Sequence, residues 1–91
     1  MNKKERTKFA AYMKALGHPV RVQIVQQLTK HGACFSGDIS AELPVAASTA
    51  SQHLKILKEA GVITGTVDGP RRCYCICNRA FEDIRGLMKS F

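Results

Sequence analysis

No apolar run in this sequence lasts more than a few residues, far short of the ~20 that a helix needs to cross a bilayer, so no membrane span is expected. Nor is a secretion signal expected. The basic start, Met1-Asn2-Lys3-Lys4-Glu5-Arg6, leads into a segment interrupted by Lys8 and Lys14 rather than into an apolar one. Internal repeats, low-complexity tracts and linkers are absent. Acidic residues are scarce, 7 against 14 Lys and Arg, which leaves a net charge of +7 on 91 residues. Such a surplus points to a polyanion or an anionic surface as partner. With 45% hydrophobic and 23% charged residues, the composition excludes a disordered chain. The length suits one small domain over 1–91, whose folding hides only ~60–65% of the unfolded surface, so its own core is thin.

The four cysteines lack the setting of a secreted disulfide framework. No export signal is expected with them, and three sit at alternate positions of one segment, so a reducing cytoplasm is the expected location. No Cys-x-x-Cys helix start and no nucleophile–base pair is present, and an enzyme is not expected.

What is present has clear periodicity. Residues 3–16 place Phe9, Met13 and Leu16 on one helical stripe with Tyr12 at its edge, and Gly17 stops them. His18-Pro19 opens a second helix to about His31, with Val20, Ile24, Val25 and Leu28 inward. A short third helix is expected from Ser36, carrying Ile39 and Leu43 and closed by Pro44. The fourth lies within 45–61, with Ala50, Leu54 and Leu57 inward and Ser48, Ser51, Gln52, Lys55 and Lys58 outward. From Val62 the period changes to 2: a strand over 62–67, a tight turn at Asp68-Gly69 and a returning strand over 71–77. The tail, 78–91, is helical again, with Phe81, Ile84, Leu87, Met88 and Phe91 on one face. The expected architecture is therefore mainly α with a β-hairpin wing, in the order α-α-α-α-β-β-α.

Two short helices joined at Leu43-Pro44-Val45 form a helix-turn-helix pattern. A helix entering a major groove about 12 Å wide needs short, hydrogen-bonding side chains on its leading turn. Ser48, Thr49, Ser51 and Gln52 meet that need, and Lys55 and Lys58 follow at the distance of the phosphates. The hairpin tip, Asp68-Gly69-Pro70-Arg71-Arg72, adds two guanidinium groups able to grip backbone or minor groove. Double-stranded DNA is the expected partner. A winged helix that binds an acidic protein is the alternative, but it gives no reason for short polar residues at that helix start. The two terminal stripes carry more apolar surface than two helices can hide on so small a core. Pairing across a twofold axis would bury both and space two recognition helices by about 34 Å, one turn of DNA.

Ala15-Leu16-Gly17-His18-Pro19-Val20-Arg21 and the run from Ser48-Thr49-Ala50-Ser51-Gln52-His53-Leu54-Lys55 to Glu59-Ala60-Gly61-Val62-Ile63 resemble the ArsR/SmtB family of winged-helix repressors over nearly the whole chain. The resemblance implies a homodimer built on the first and last helices (Phe9, Met13, Leu16, Phe81, Ile84, Leu87, Met88 and Phe91) and a palindromic operator. It also implies base or phosphate contacts from Ser48, Ser51 and Gln52, with Arg71 and Arg72 acting from the wing. Ala46 and Ala47 depart from the Ser and Gln common there. Ala46 is a poor cap, costing ~1 kcal/mol, while the Ala47 methyl is able to pack on a thymine methyl.

Members of that family commonly release DNA when a metal ion, arsenite or an oxidant reaches a dedicated site, and DNA binding itself requires no cofactor. The zinc site of the last helix needs His, which the tail lacks; it offers only Glu82 and Asp83. In the thiol site of the third helix, cysteines directly precede an aspartate, but Ser36-Gly37 precede Asp38 here, and Cys34 lies one turn too early. Cys73, Cys75 and Cys77 remain. Alternate residues of a strand are ~6.7 Å apart, whereas sulfurs sharing a tetrahedral zinc lie within roughly 3.8 Å, so these three cannot share one ion without a bend. Two readings stand: small hydrophobes on a partly buried strand, or thiol-based sensing, with Cys34 as a partner if the fold brings it to the hairpin. Tyr74 and Ile76 are expected inside and the sulfurs on the more accessible face. His18, His31 and His53 have no metal-ligand spacing.

Overall fold

Asn2 starts the first helix through a capping box: its side chain accepts from the Glu5 amide, and the Glu5 carboxylate accepts from the Asn2 amide. The computed structural model describes residues 1–91, and this first helix, α1, spans Lys3–Leu16. His18 caps α2, Pro19–Lys30, by accepting from the Val20 amide, with Pro19 at the first helical position.

The third helix is not formed as expected. Gly32 and Ala33 both take positive φ and turn the chain into a short strand, β1, Cys34–Ser36. Gly37, at φ 102°, then swings it to Asp38, and Asp38, not Ser36, caps a single 3-10 turn, Ile39–Glu42. Leu43 alone separates that turn from Pro44, which leaves no room for an α-helix to propagate. The recognition helix α3 covers Ala47–Glu59, and β2 (Ile63–Thr66), β3 (Cys73–Ile76) and α4 (Asn78–Met88) complete the chain.

The sheet has three antiparallel strands in the order β1-β3-β2, not two, because β1 pairs with the free edge of β3. The wing proper is the β2–β3 hairpin, and its connection is longer than the tight turn expected at Asp68-Gly69. Thr66 and Cys73 form the last pair, leaving residues 67–72 as loop. Val67 is drawn into the core, and Pro70 has no amide to offer a ladder. Gly65, at φ 105°, lies so close to β3 that a side chain there would meet the Cys73 carbonyl.

Ile24, Leu28, Ile39, Leu54, Leu57, Val62, Ile63 and Tyr74 are the largest fully buried side chains. They join α2, the 3-10 turn, the inner face of α3 and one face of the sheet into a continuous core. The period-2 expectation holds for the first half of β3, where Tyr74 is buried and Cys73 exposed, but Ile76, also expected inside, is only half-buried, as are Cys75 and Cys77. The fold does bring Cys34 to the hairpin, the condition set for it as a thiol partner. Cys34 and Cys75 stand opposite each other across β1 and β3 and are joined by a disulfide, whereas Cys73 and Cys77 are free.

Candidate nucleic-acid interface

The 3-10 turn and α3 form the two arms of the helix-turn-helix, with Leu43 buried between them. Burial of Ala50, Leu54 and Leu57 fixes the rotation of α3 and therefore chooses its outer face. Ala47, Ser48, Gln52, Lys55 and Lys58 are exposed on that face, and Thr49 and Ser51 are half-buried beside it. Ala46 occupies the cap position without a side-chain hydrogen bond, and no acidic residue sits in the first turn. The leading amides and the positive end of the helix dipole therefore face outward without an anion of the protein's own.

The wing lies beside this surface. Arg71 is exposed on the loop, as expected for a projecting group. Arg72 departs from that expectation: its side chain is only 24% exposed and turns back to Asp38, 3.9 Å away. Lys55 reaches Asp68 of the wing loop at 3.7 Å, linking α3 to the hairpin. Exposed pairs of this kind contribute ~0–1 kcal/mol, so a phosphate is able to displace the carboxylate from Lys55.

A group that sequence reasoning missed holds α3 from behind. Arg21 Nε donates to His53 Nδ1 at 3.1 Å, while Arg21 Nη1 donates to the Lys14 and Ala15 carbonyls at 3.2 and 3.3 Å. One guanidinium thus ties the end of α1 to the recognition helix. The His18 ring packs against His53 with centroids 4.5 Å apart and planes tilted by 45°. Burial, then the positive potential of His18 and Arg21, holds the His53 pKa below the ordinary histidine value. Accepting from Arg21 requires Nδ1 to be unprotonated. The only prior signal was the presence of all three residues in segments already singled out; their contact is long-range. His31 ends α2 and bonds Glu42 at 2.9 Å.

The sign of the His53 shift gives a pH prediction. A histidine whose pKa falls on folding contributes stability that is complete above its unfolded value, near 6.5, and is lost as pH drops through the folded one. The thermal midpoint is expected to fall between pH 7.5 and 5.5, and His53→Gln to flatten that fall. Asp38, held low by hydrogen bonds from Ser40, and Asp83, held low by Lys8, add their losses only below about pH 4. An unchanged slope in the variant would remove His53 from this role.

The terminal helices lie against each other. Lys8 pairs with Asp83 at 2.9 Å, and Phe9 meets Phe91 edge-on at 5.7 Å. Phe9, Met13, Leu16, Phe81 and Leu87 are half-buried, while Met88 and Phe91 are 52% and 84% exposed. Ile84, expected on the outer stripe, is instead buried in the subunit's own core, as is Tyr12.

A capped first arm, a recognition helix presenting small polar residues and lysines, and a flanking hairpin define a winged helix-turn-helix transcriptional regulator. Residues 18–64 match the sequence profile described as "Bacterial regulatory protein, arsR family". The chain belongs to that family, one of DNA-binding transcriptional regulators. It is 32% identical over 81 residues to the HTH-type transcriptional regulator YgaV of Escherichia coli, covering 89% of this chain and 82% of that protein. It is 45% identical over 72 residues to the HTH-type transcriptional repressor SmtB of Mycobacterium tuberculosis, covering 79% of this chain and 53% of the repressor, so it spans about half of that relative. The fold matches a crystal structure of a "possible transcriptional regulator for arsenical resistance" with a TM-score of 0.73 and 32% identity, over 88% of this chain and 82% of that one. No helix is long and apolar enough to cross a membrane.

Proposed function

We propose that this protein is a cytoplasmic repressor that grips a palindromic operator as a homodimer, without a cofactor. The observation that carries the reading is the leading end of α3: exposed, free of acidic residues, uncapped by a side chain and clothed only in Ala47, Ser48, Thr49, Ser51 and Gln52. These residues read base edges and nearby phosphates. Lys55 and Lys58 neutralise the flanking backbone, Arg71 acts from the wing, and Arg72 joins it once drawn off Asp38.

The shape of the subunit supports pairing. Its radius of gyration of 13.3 Å exceeds the roughly 12 Å of a compact chain this long. Its accessible surface of 5717 Å² exceeds the roughly 5,200 Å² typical of a 10.0 kDa monomer. The surplus surface includes the terminal helices, where a second copy would cover Met88 and Phe91 along with Phe9, Met13, Leu16, Phe81 and Leu87.

The test is a titration of operator, selected from random duplexes, against scrambled DNA over a range of salt. Binding should be tighter on the operator by roughly 10³-fold or more and fall steeply with salt. Arg71→Ala should weaken all duplexes alike and reduce the log–log salt slope by ~0.9 for each phosphate it no longer neutralises. Gln52→Ala should change base preference at its own position, with an effect of ~1–3 kcal/mol. Equal binding to every duplex would overturn the proposal.

A further inference from the structure

Cys34 and Cys75 have no part in the DNA contacts proposed above, yet the sheet holds them together. Ile76 N donates to Ala33 O at 2.8 Å, and Gly37 N donates to Arg72 O at 2.9 Å. In an antiparallel ladder those bonds make residues 34 and 75 a non-hydrogen-bonded pair, the kind whose side chains lie closest. Their α-carbons are 4.0 Å apart and their sulfurs are joined. The backbone register sets the two side chains opposite each other on neighbouring strands, within reach of a direct bond. Nor is the pair hidden, since Cys34 is exposed and Cys75 half-buried. A regulator that binds DNA works where cellular thiols are kept reduced, and bridges that form there are mostly transient and redox-sensing.

We infer that Cys34 and Cys75 are a reversible dithiol–disulfide switch, closed by hydroperoxides, that weakens the grip of the wing on DNA; the inference rests on the operator-binding function proposed above. The thiolate of Cys34, the more exposed of the two, attacks the terminal peroxide oxygen. The O–O bond breaks, and the alkoxide or hydroxide released takes up a proton. The Cys75 thiolate then attacks the sulfenic sulfur, forms the S–S bond and expels water. Two thiols lose two electrons and two protons, while the hydroperoxide becomes an alcohol, or water, plus one water. A dithiol reductant reverses the change by exchange.

The bridge acts where the two functional parts meet. β1 is an edge strand of three residues whose chain continues through Gly37 to Asp38, the cap of the helix-turn-helix. The bond spans 41 positions and fastens this point to the returning strand of the wing. With the strands fastened, the Arg72 carbonyl stays on Gly37 and its guanidinium stays on Asp38, turned from the loop that faces DNA. Opening the bond leaves so short an edge strand free to part from β3, and Arg72 is released to a phosphate. Cys73 faces Ser36, whose hydroxyl donates to its sulfur at 3.5 Å, and it lies outside the bonded pair, as does Cys77.

The test compares the full-length protein reduced with dithiothreitol, then treated with hydrogen peroxide, then reduced again. Peptide mapping by mass spectrometry should find residues 34 and 75 linked only after peroxide. Operator dissociation constants should rise about tenfold on oxidation, roughly threefold for each of two wings, and return on reduction. Cys34→Ser and Cys75→Ser should each bind as the reduced protein does and ignore peroxide, while Cys73→Ser and Cys77→Ser keep the response. The wild-type cycle alone remains decisive if a variant folds poorly. A bridge mapped elsewhere, equal affinity in both states, or a bridge that survives a glutathione buffer at cytosolic poise would each overturn the switch. A protein that cycles its bridge yet prefers no duplex in either state would overturn the operator reading instead.

Discussion

Met88→Glu combined with Phe91→Glu is expected to divide the protein into monomers and to weaken operator binding by at least ~10²-fold. Both side chains are exposed on the subunit, so the substitutions leave its core untouched. In a twofold interface each change appears twice, and four carboxylates would meet where apolar surface was to be buried. Separate subunits lose the high effective concentration that makes the second half-site nearly intramolecular, and that loss is commonly 10²–10⁴-fold. Sedimentation should report about 10 kDa in place of about 20, from a chain mass of 10.0 kDa. Binding to an isolated half-site should be unchanged. Variants that remain dimeric with full affinity would show that the terminal helices are not the interface.

Long elements were legible because their periodicity spans several turns. The expected bounds of α1 are those observed, and the inward set on α3, Ala50, Leu54 and Leu57, is the buried set. Features that depend on a distant neighbour were not legible. β1 is three residues long, too short for an alternation, and it is a strand only because β3 offers an unpaired edge. The Cys34–Cys75 pairing follows from that register and from no spacing in the chain. Arg72 looks like a free wing arginine until Asp38 is brought beside it. The Arg21–His53 bond joins residues 32 apart. Ile84 fits the outer stripe of α4 by period, yet the neighbouring core claims it. Periodicity identifies a face; only packing decides which part of that face is left over.

Leu54→Ala is expected to destabilise the subunit by ~2–5 kcal/mol, the usual range for emptying a well-packed leucine site. Leu54 is 1% exposed and belongs to the core that also holds Ile24, Leu28, Ile39 and Leu57. Helix α3 packs against α2, the 3-10 turn, β2 and α1, which limits how far it can shift to close the cavity. Domains of this size hold only about 5–15 kcal/mol in total, and the loss would consume much of it. Urea titration should give a lower midpoint with an unchanged slope. The same residue sets the rotation of α3, so operator affinity should fall further than the folded fraction alone predicts. Adding operator should then recover part of the lost stability, because a ligand that binds only the folded state raises it by mass action. A variant that unfolds earlier yet keeps wild-type affinity per folded molecule would mean that Ala50 and Leu57 suffice to orient the helix.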